Sequence, residues 1–194
     1  TPDLATFGKV LSGGLASGAV AGRADIMHLH AYTGEPQRDR YGRVHHQGTF
    51  NANPLAAAAG IATLRIVATG EPHRQANAMA ARLRDGMNAV LERREAAGYA
   101  YGECSGFHVY LEAHPGSGAK DRAGVWTDDP AKLKGIPPAV TGALHKNLLI
   151  RGVDVLSRAS GVTSAAHTEA DIDEALEAFD GAIGALLEAK VIAR

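Results

Sequence analysis

One lysine, Lys9, interrupts the stretch "DLATFGKVLSGGLASGAVAG", and most of its neighbours are too small to shield or pair it. A primary amine condenses with an aldehyde to a Schiff base when burial or a nearby cation leaves part of it unprotonated. The glycines around it would let a flat cofactor approach the backbone. By composition alone, a surface lysine beside a loop is the simpler reading. The segment is not a phosphate-binding Walker loop, because Val10 follows the lysine and the glycine pair comes later.

Thr49 in "HHQGTFNANP" is the second candidate, with a hydroxyl and a backbone N–H just before a helix start that could help hold a phosphate. A plain capping loop explains the same residues. His45 and His46 are adjacent and His28 and His30 are two apart, but neither pair has a carboxylate or cysteine at zinc-site spacing, so no metal site is expected. Cys104 and Ser105 precede Gly106 without forming a nucleophile elbow, and a turn or buried role is expected there. Arg151, Arg158 and His167 are candidates near the C-terminus. An arginine there could clamp a substrate carboxylate with its planar fork, although a structural role is the simpler reading for each.

These groups need elements to position them. Residues 10–22 are small and glycine-rich, a composition for close backbone approach rather than a long surface helix. "RADIMHLHA" predicts a short helix over 24–29, and the polar "YTGEPQRDRYGRVHHQGTF" an exposed loop. In "NANPLAAAAGIATLRIVATG", Asn51 or Asn53 can cap a helix, Pro54 suits its first position and Gly70 its exit. Its alanines permit close packing against other backbone. A longer helix follows, with Ala76, Met79 or Ala80, Leu83, Met87, Val90 and Leu91 near helical spacing and Gly98 as its stop.

The alternation of Phe107, Val109 and Leu111 predicts a strand or hairpin. "HPGSGAKDRAGVWTDDPAKLKGIPP" reads as a loop or weakly ordered insertion, and "AVTGALHKNLLIRGVDV" as a helix, a turn at Gly152 and a short strand. The terminal helix is the clearest. Thr168 caps it, Asp171 sits three residues on, and Ile172, Leu176, Phe179, Ile183 and Leu186 form its buried stripe. The expected fold class is α/β: the last quarter to half of a large α/β domain over 1–72, a long connecting helix over 73–98, and a small α+β domain over 99–194.

The 194 residues are 45% hydrophobic, enough for a sizeable core, and 20 basic against 21 acidic residues give a formal charge of −1. That balance supplies no electrostatic footprint for nucleic acid or an anionic membrane surface. No uncharged apolar run approaches the roughly 18–20 residues that span a bilayer. A single cysteine fits a reducing, cytoplasmic compartment. The start, "TPDLATFGK", has neither an initiator methionine nor a leader, and reads as if an upstream element were missing.

Taken in order, "TPDLATFGKVLSGGLASGAVAGRADIM", "HHQGTFNANPLAAAAGIATL" and "SAAHTEADIDEAL" closely resemble the class III, fold type I pyridoxal-phosphate (PLP) aminotransferases, and most of all the subgroup that includes glutamate-1-semialdehyde aminomutase. The resemblance runs over essentially the whole chain. It implies the C-terminal part of a fold type I PLP-binding large domain followed by a small domain that closes over the substrate. It implies that Lys9 forms the internal aldimine and later moves the substrate proton, and that Thr49 binds the cofactor phosphate of the neighbouring subunit. The implied assembly is a homodimer with shared active sites, acting on amino acids or amines and keto acids or aldehydes.

In that family the aspartate on the pyridine nitrogen, the ring-stacking aromatic and the glycine-rich phosphate loop all precede the lysine. A C-terminal fragment, inactive by itself, is therefore expected. The stretch "LSRASGVTSAAHT" lacks the acidic residue of the aminomutase pattern, so transfer of an amino group is the broader expectation, with Arg158 as a contact for substrate carboxylate. The alternatives are an aminomutase or racemase-like relative on the same chemistry, and a truncated, noncatalytic homologue serving in dimerisation or regulation.

Overall fold

The computed structural model describes residues 1–113, 129–156 and 159–194. The chain divides into two compact units, Thr1–Gly70 and Glu71–Arg194. Among the described residues, no helix is long and apolar enough to cross a membrane.

The first unit opens with an antiparallel pair, β1 (Leu4–Phe7) and β2 (Ala19–Gly22), in a register that sets Leu4 opposite Gly22 and Phe7 opposite Ala19. The connection between them carries a single 3-10 turn, Lys9–Ser12. Helix α1 (Ala24–Met27) continues into a second 3-10 turn, His28–His30, covering the short helix expected there. Arg23 fastens this corner: its guanidinium donates to Asp3 at 2.9 Å and to Asp25 at 2.7 Å. The stretch expected to be an exposed loop contains a π-type turn, Arg38–Gly42, which the sequence did not announce. Its organiser is Asp39, whose carboxylate accepts from Thr33 N–H, Thr33 Oγ1 and Gly34 N–H. Those three donors hold the Asp39 carboxyl below its ordinary pKa, with the Thr33 backbone bond first among the causes.

Helix α2 (Pro54–Val67) begins as its sequence dictates. Asn53 is the cap, its Oδ1 accepting from Leu55 N–H at 2.9 Å and Ala56 N–H at 3.3 Å, and Pro54 occupies the first turn. Gly70 follows the helix with φ +74°, a left-handed exit suited to glycine.

The second unit is built on α3 (Glu71–Arg93), an antiparallel sheet ordered β3 (Gly98–Tyr101), β4 (Gly106–Leu111), β5 (Ser160–Val162), and the helices α4 (Pro130–Leu133), α5 (Pro138–Leu149) and α6 (Glu169–Glu188). The apolar stripes read from the sequence are the buried ones: Ala76, Met79, Ala80, Leu83, Met87, Val90 and Leu91 on α3, and Ile172, Phe179, Ile183 and Leu186 on α6. Apart from Ala76 and Ala80, they meet Phe107, Val109 and Leu111 of β4 and Val140, Leu144 and Leu148 of α5 in one cluster, with Leu176 packed at its margin. Each fully buried side chain of this size contributes about 1.5–3 kcal/mol relative to exposure.

At the start of α6, Thr168 accepts from Asp171 N–H while Asp171 accepts from Thr168 N–H, the reciprocal box that "HTEAD" announces. Charged pairs tie α3 to α6, with Arg93 and Arg94 both on Asp180 and Arg82 on Asp173. The side-chain bond from Arg94 is the first reason that the Asp180 carboxyl is lowered to about 2.

Three elements differ from expectation. The long helix stops at Arg93 rather than running to Gly98, because Glu95 takes a left-handed φ of +53° and Ala96 N–H turns back onto Leu91 O. Gly98 opens β3 instead. After Gly152 there is no strand among the described residues at 153–155: Val153 and Val155 pack against the core margin, and pairing begins with a lone bridge from Leu156 to Ser160. Pro130–Leu133 forms a helical turn capped by Asp129 inside what reads as a loop, while 114–128 of that loop lie outside the described residues.

Candidate active site

Lys9 lies two residues beyond the end of β1, exposed, as the first residue of the 3-10 turn. Its φ is +57°, left-handed for a residue with a full side chain, at a cost of about 1–2 kcal/mol. The turn is closed by Leu11 N–H on Gly8 O at 3.3 Å and by Gly13 N–H on Val10 O at 3.0 Å. Among the described residues the Lys9 amine has no ion pair or hydrogen bond. Gly8 and Gly14 leave open space: a Cβ built on either would meet no atom within 4 Å.

The far side of the same turn is closely packed. Ser12 is 2% exposed and lies against Gly60 of α2, where an added Cβ would come within 3.3 Å of Ser12 Oγ. Gly13, with φ +58°, faces Thr63 one helical turn further along. The sequence held a signal for this contact, in the small residues of "LSGG" and of "AAAAGIAT", but nothing in it paired Ser12 with Gly60 or Gly13 with Thr63.

Thr49 begins the turn that leads into α2 and is exposed. Neither its hydroxyl nor its N–H has a hydrogen-bond partner among the described residues. The helix behind it offers an anion less than its sequence promised. Pro54 has no N–H, Leu55 and Ala56 donate to Asn53 Oδ1, and Ala57 donates to Asn53 O at 2.9 Å. Among the donors left for a phosphate here are the hydroxyl and N–H of Thr49, with the helix contributing its dipole. Helix α2 is thus the scaffold common to both candidates: the Lys9 turn packs on its middle, and the Thr49 turn feeds its start.

The C-terminal candidates divide. Arg151 donates to Asn147 O at 2.8 Å and Asn147 Oδ1 at 3.0 Å, closing the end of α5, and its Nε covers Gly181 of α6. Ser164 N–H donates to His167 Nδ1 at 3.0 Å, so that nitrogen is an acceptor in the loop before α6. Both residues serve the framework of the second unit. Arg158 lies outside the described residues. Cys104 sits exposed in the β3–β4 turn with φ +50°, the turn role expected for it. A cavity of about 830 Å³ in the second unit, lined by Tyr101, His108, Lys134, Thr141 and Ser160 among others, contains none of the candidates. A smaller pocket of the same unit is lined by His167, and among the described residues neither cavity is lined by Lys9 or Thr49.

Residues 1–100 match the family model "Aminotransferase class-III". A glutamate-1-semialdehyde 2,1-aminomutase of Halobacterium salinarum is 32% identical over 203 residues, covering 94% of this chain and 43% of the relative. An omega-transaminase from Sphaerobacter thermophilus superposes with a TM-score of 0.74 at 29% identity, over 95% of this chain and 39% of that one. A transaminase with PLP bound gives the same TM-score, 0.74, at 26% identity, over 98% of this chain and 40% of that one. The chain spans less than half the length of each. The fold type I architecture expected from the resemblance is borne out by these likenesses.

Proposed function

Because this chain belongs to the class III aminotransferase family, we propose that it is the portion of a PLP-dependent aminotransferase that carries the cofactor lysine, Lys9, and a phosphate contact, Thr49. One observation carries the reading. It is an unpaired, exposed amine on a left-handed residue, with open space at the glycines on either side. Backbone strain of this kind persists where the surroundings over-determine it, and it concentrates at functional sites. The residues fit the cofactor: an amine for its aldehyde, room for a flat ring, and free donors at Thr49 for its phosphate.

When bound, PLP supplies an aldehyde that joins amines and a ring that draws electrons from the bond being broken. Lys9 Nζ would hold the cofactor through that aldehyde. Once freed by an incoming substrate amine, Lys9 Nζ would be the base that carries the proton from the substrate α-carbon to the cofactor. Thr49 fixes the phosphate end by donating its hydroxyl and N–H. Arg158 is the proposed contact for a substrate carboxylate, on the strength of its planar fork. The reaction is transfer of an amino group from an amino acid or amine to a keto acid or aldehyde.

The working form is a homodimer with shared sites. Val10, directly after Lys9, is 67% exposed and Phe50, directly after Thr49, is 82% exposed, so apolar surface needing cover adjoins both site residues. A single cysteine is consistent with a cytoplasmic setting. The name of the Halobacterium relative favours one second reading, movement of the amino group within a single molecule, which product analysis separates from transfer. The deciding experiment is borohydride reduction of the full-length holoprotein followed by peptide mass analysis. The pyridoxyl group is expected on Lys9; its appearance on another lysine, or on none, would overturn the assignment.

A further inference from the structure

We propose that Gly60 and Ser12 are positioning residues for the Lys9 amine: the absence of a side chain at Gly60 lets Ser12 seat against α2 and so fixes the turn from which Lys9 projects. The inference rests on Lys9 being the cofactor lysine. Ser12 is one of three buried residues in the first unit, with Ala56 and Gly60, so the turn's anchorage is concentrated at this contact. A Cβ on Gly60 would lie 3.3 Å from Ser12 Oγ and 3.4 Å from Leu11 O, the first tighter than ordinary contact and the second at its limit.

One helical turn on, a Cβ at Gly13 would lie 2.8 Å from Thr63 Oγ1. That hydroxyl is held by its own bond to Ala59 O at 2.9 Å. Two points spaced one turn apart along α2 therefore clamp the end of a four-residue turn whose first member is Lys9. The turn transmits the clamp, because Ser12 lies between Leu11, bonded to Gly8 O, and Gly13, bonded to Val10 O. A left-handed Lys9 relaxes toward negative φ once the clamp loosens, and its Cα–Cβ bond then points elsewhere. The flexible lysine stem would have to make up the difference at every encounter with the cofactor.

Gly60 also separates positioning from mere stability. Alanine is the better helix former, so Gly60→Ala is expected to leave the melting temperature unchanged or raise it while pushing Ser12 outward. The test uses the full-length protein stripped of cofactor and reloaded with PLP. The rate of borohydride-trapped attachment at Lys9 is followed by peptide mass analysis, beside the melting temperature of the cofactor-free form. Gly60→Val is expected to slow attachment about tenfold or more, and Gly60→Ala less, since small misplacements of reacting groups carry penalties of this order. Ser12→Ala combined with Gly60→Ala removes the 3.3 Å clash, leaves only the 3.4 Å contact, and is expected to recover most of the rate.

Parallel loss of melting temperature and attachment in Gly60→Ala, without rescue by Ser12→Ala, would show a packing role alone and overturn the proposal. So would an attachment rate in both Gly60 variants equal to that of the unmodified protein. Failure of the unmodified protein to label at Lys9 would overturn the assignment of Lys9 itself, and the positioning role with it.

Discussion

Of the apolar side chains buried among the described residues, the first unit holds Ala56 alone, whereas the second closes a core around Phe179, Leu144, Ile183 and Leu91. The first unit leaves Phe7, Val10, Tyr32, Tyr41, Phe50 and Leu55 more than half exposed. The contrast separates two uses of sequence. The second unit spends its hydrophobic residues on itself, and its helices are ordered by their own stripes. The first unit spends small residues on close backbone contact and turns its large apolar residues outward, where they suit contact with other protein surface. The candidate reactive groups lie in the unit with the smaller core.

Substitutions can break that contrast. The largest effect is expected at Lys9. In the full-length protein Lys9→Gly should lower turnover about a thousandfold or more, through loss of the amine proposed to carry the proton. The same change should raise stability by up to about 1 kcal/mol by relieving the left-handed backbone, as read from urea unfolding. A fall in stability would mean that φ +57° is not a strained state of this turn.

Next is Phe179→Ala, which removes a fully buried ring and should cost about 3–5 kcal/mol in unfolding free energy. Pyridoxyl labelling of the folded fraction should still fall on Lys9, and a changed site would mean that the second unit shapes the first. Thr49→Val keeps the shape but removes the hydroxyl. It should weaken PLP affinity about tenfold in equilibrium dialysis, the usual worth of one charge-assisted bond, with unfolding unchanged.

The smallest effect belongs to Asp180 in the second unit. Its folded pKa of about 2 lies below the ordinary aspartate value of 3.8, so its contribution is complete above the unfolded pKa and is lost as pH falls from about 4 through 2. Solvent screening limits that contribution to about 1 kcal/mol. Asp180→Asn should lower stability by this amount at neutral pH and flatten the acid limb of the stability profile over that window, with turnover unaffected.

Legibility followed the same division. The stripes of α3 and α6 and the box at Thr168 could be read because the partners of those residues lie within the same unit and repeat at helical period. The Pro54 helix was legible from its cap. Two turns were not, because Lys9 and Glu95 adopt left-handed φ with side chains that give no sign of it. β5 escaped because "SGV" is too short and too small to show alternation. At the site, residue type and motif order singled out Lys9 and Thr49. The pairing of Ser12 with Gly60 stayed hidden because a glycine inside an alanine-rich helix reads as a local weakness until the backbone it admits is known.

The pairing of Leu4–Phe7 with Ala19–Gly22 has a practical consequence for anyone handling this stretch in isolation. A two-stranded ribbon is marginal in water, and each strand here keeps one lateral rim of amide and carbonyl groups with no ladder partner among the described residues. Such rims recruit other extended chains, so an excised hairpin should self-associate unless a proline is placed at Thr6 or Val20, a pair whose N–H groups face the rims, to block the addition of further strands.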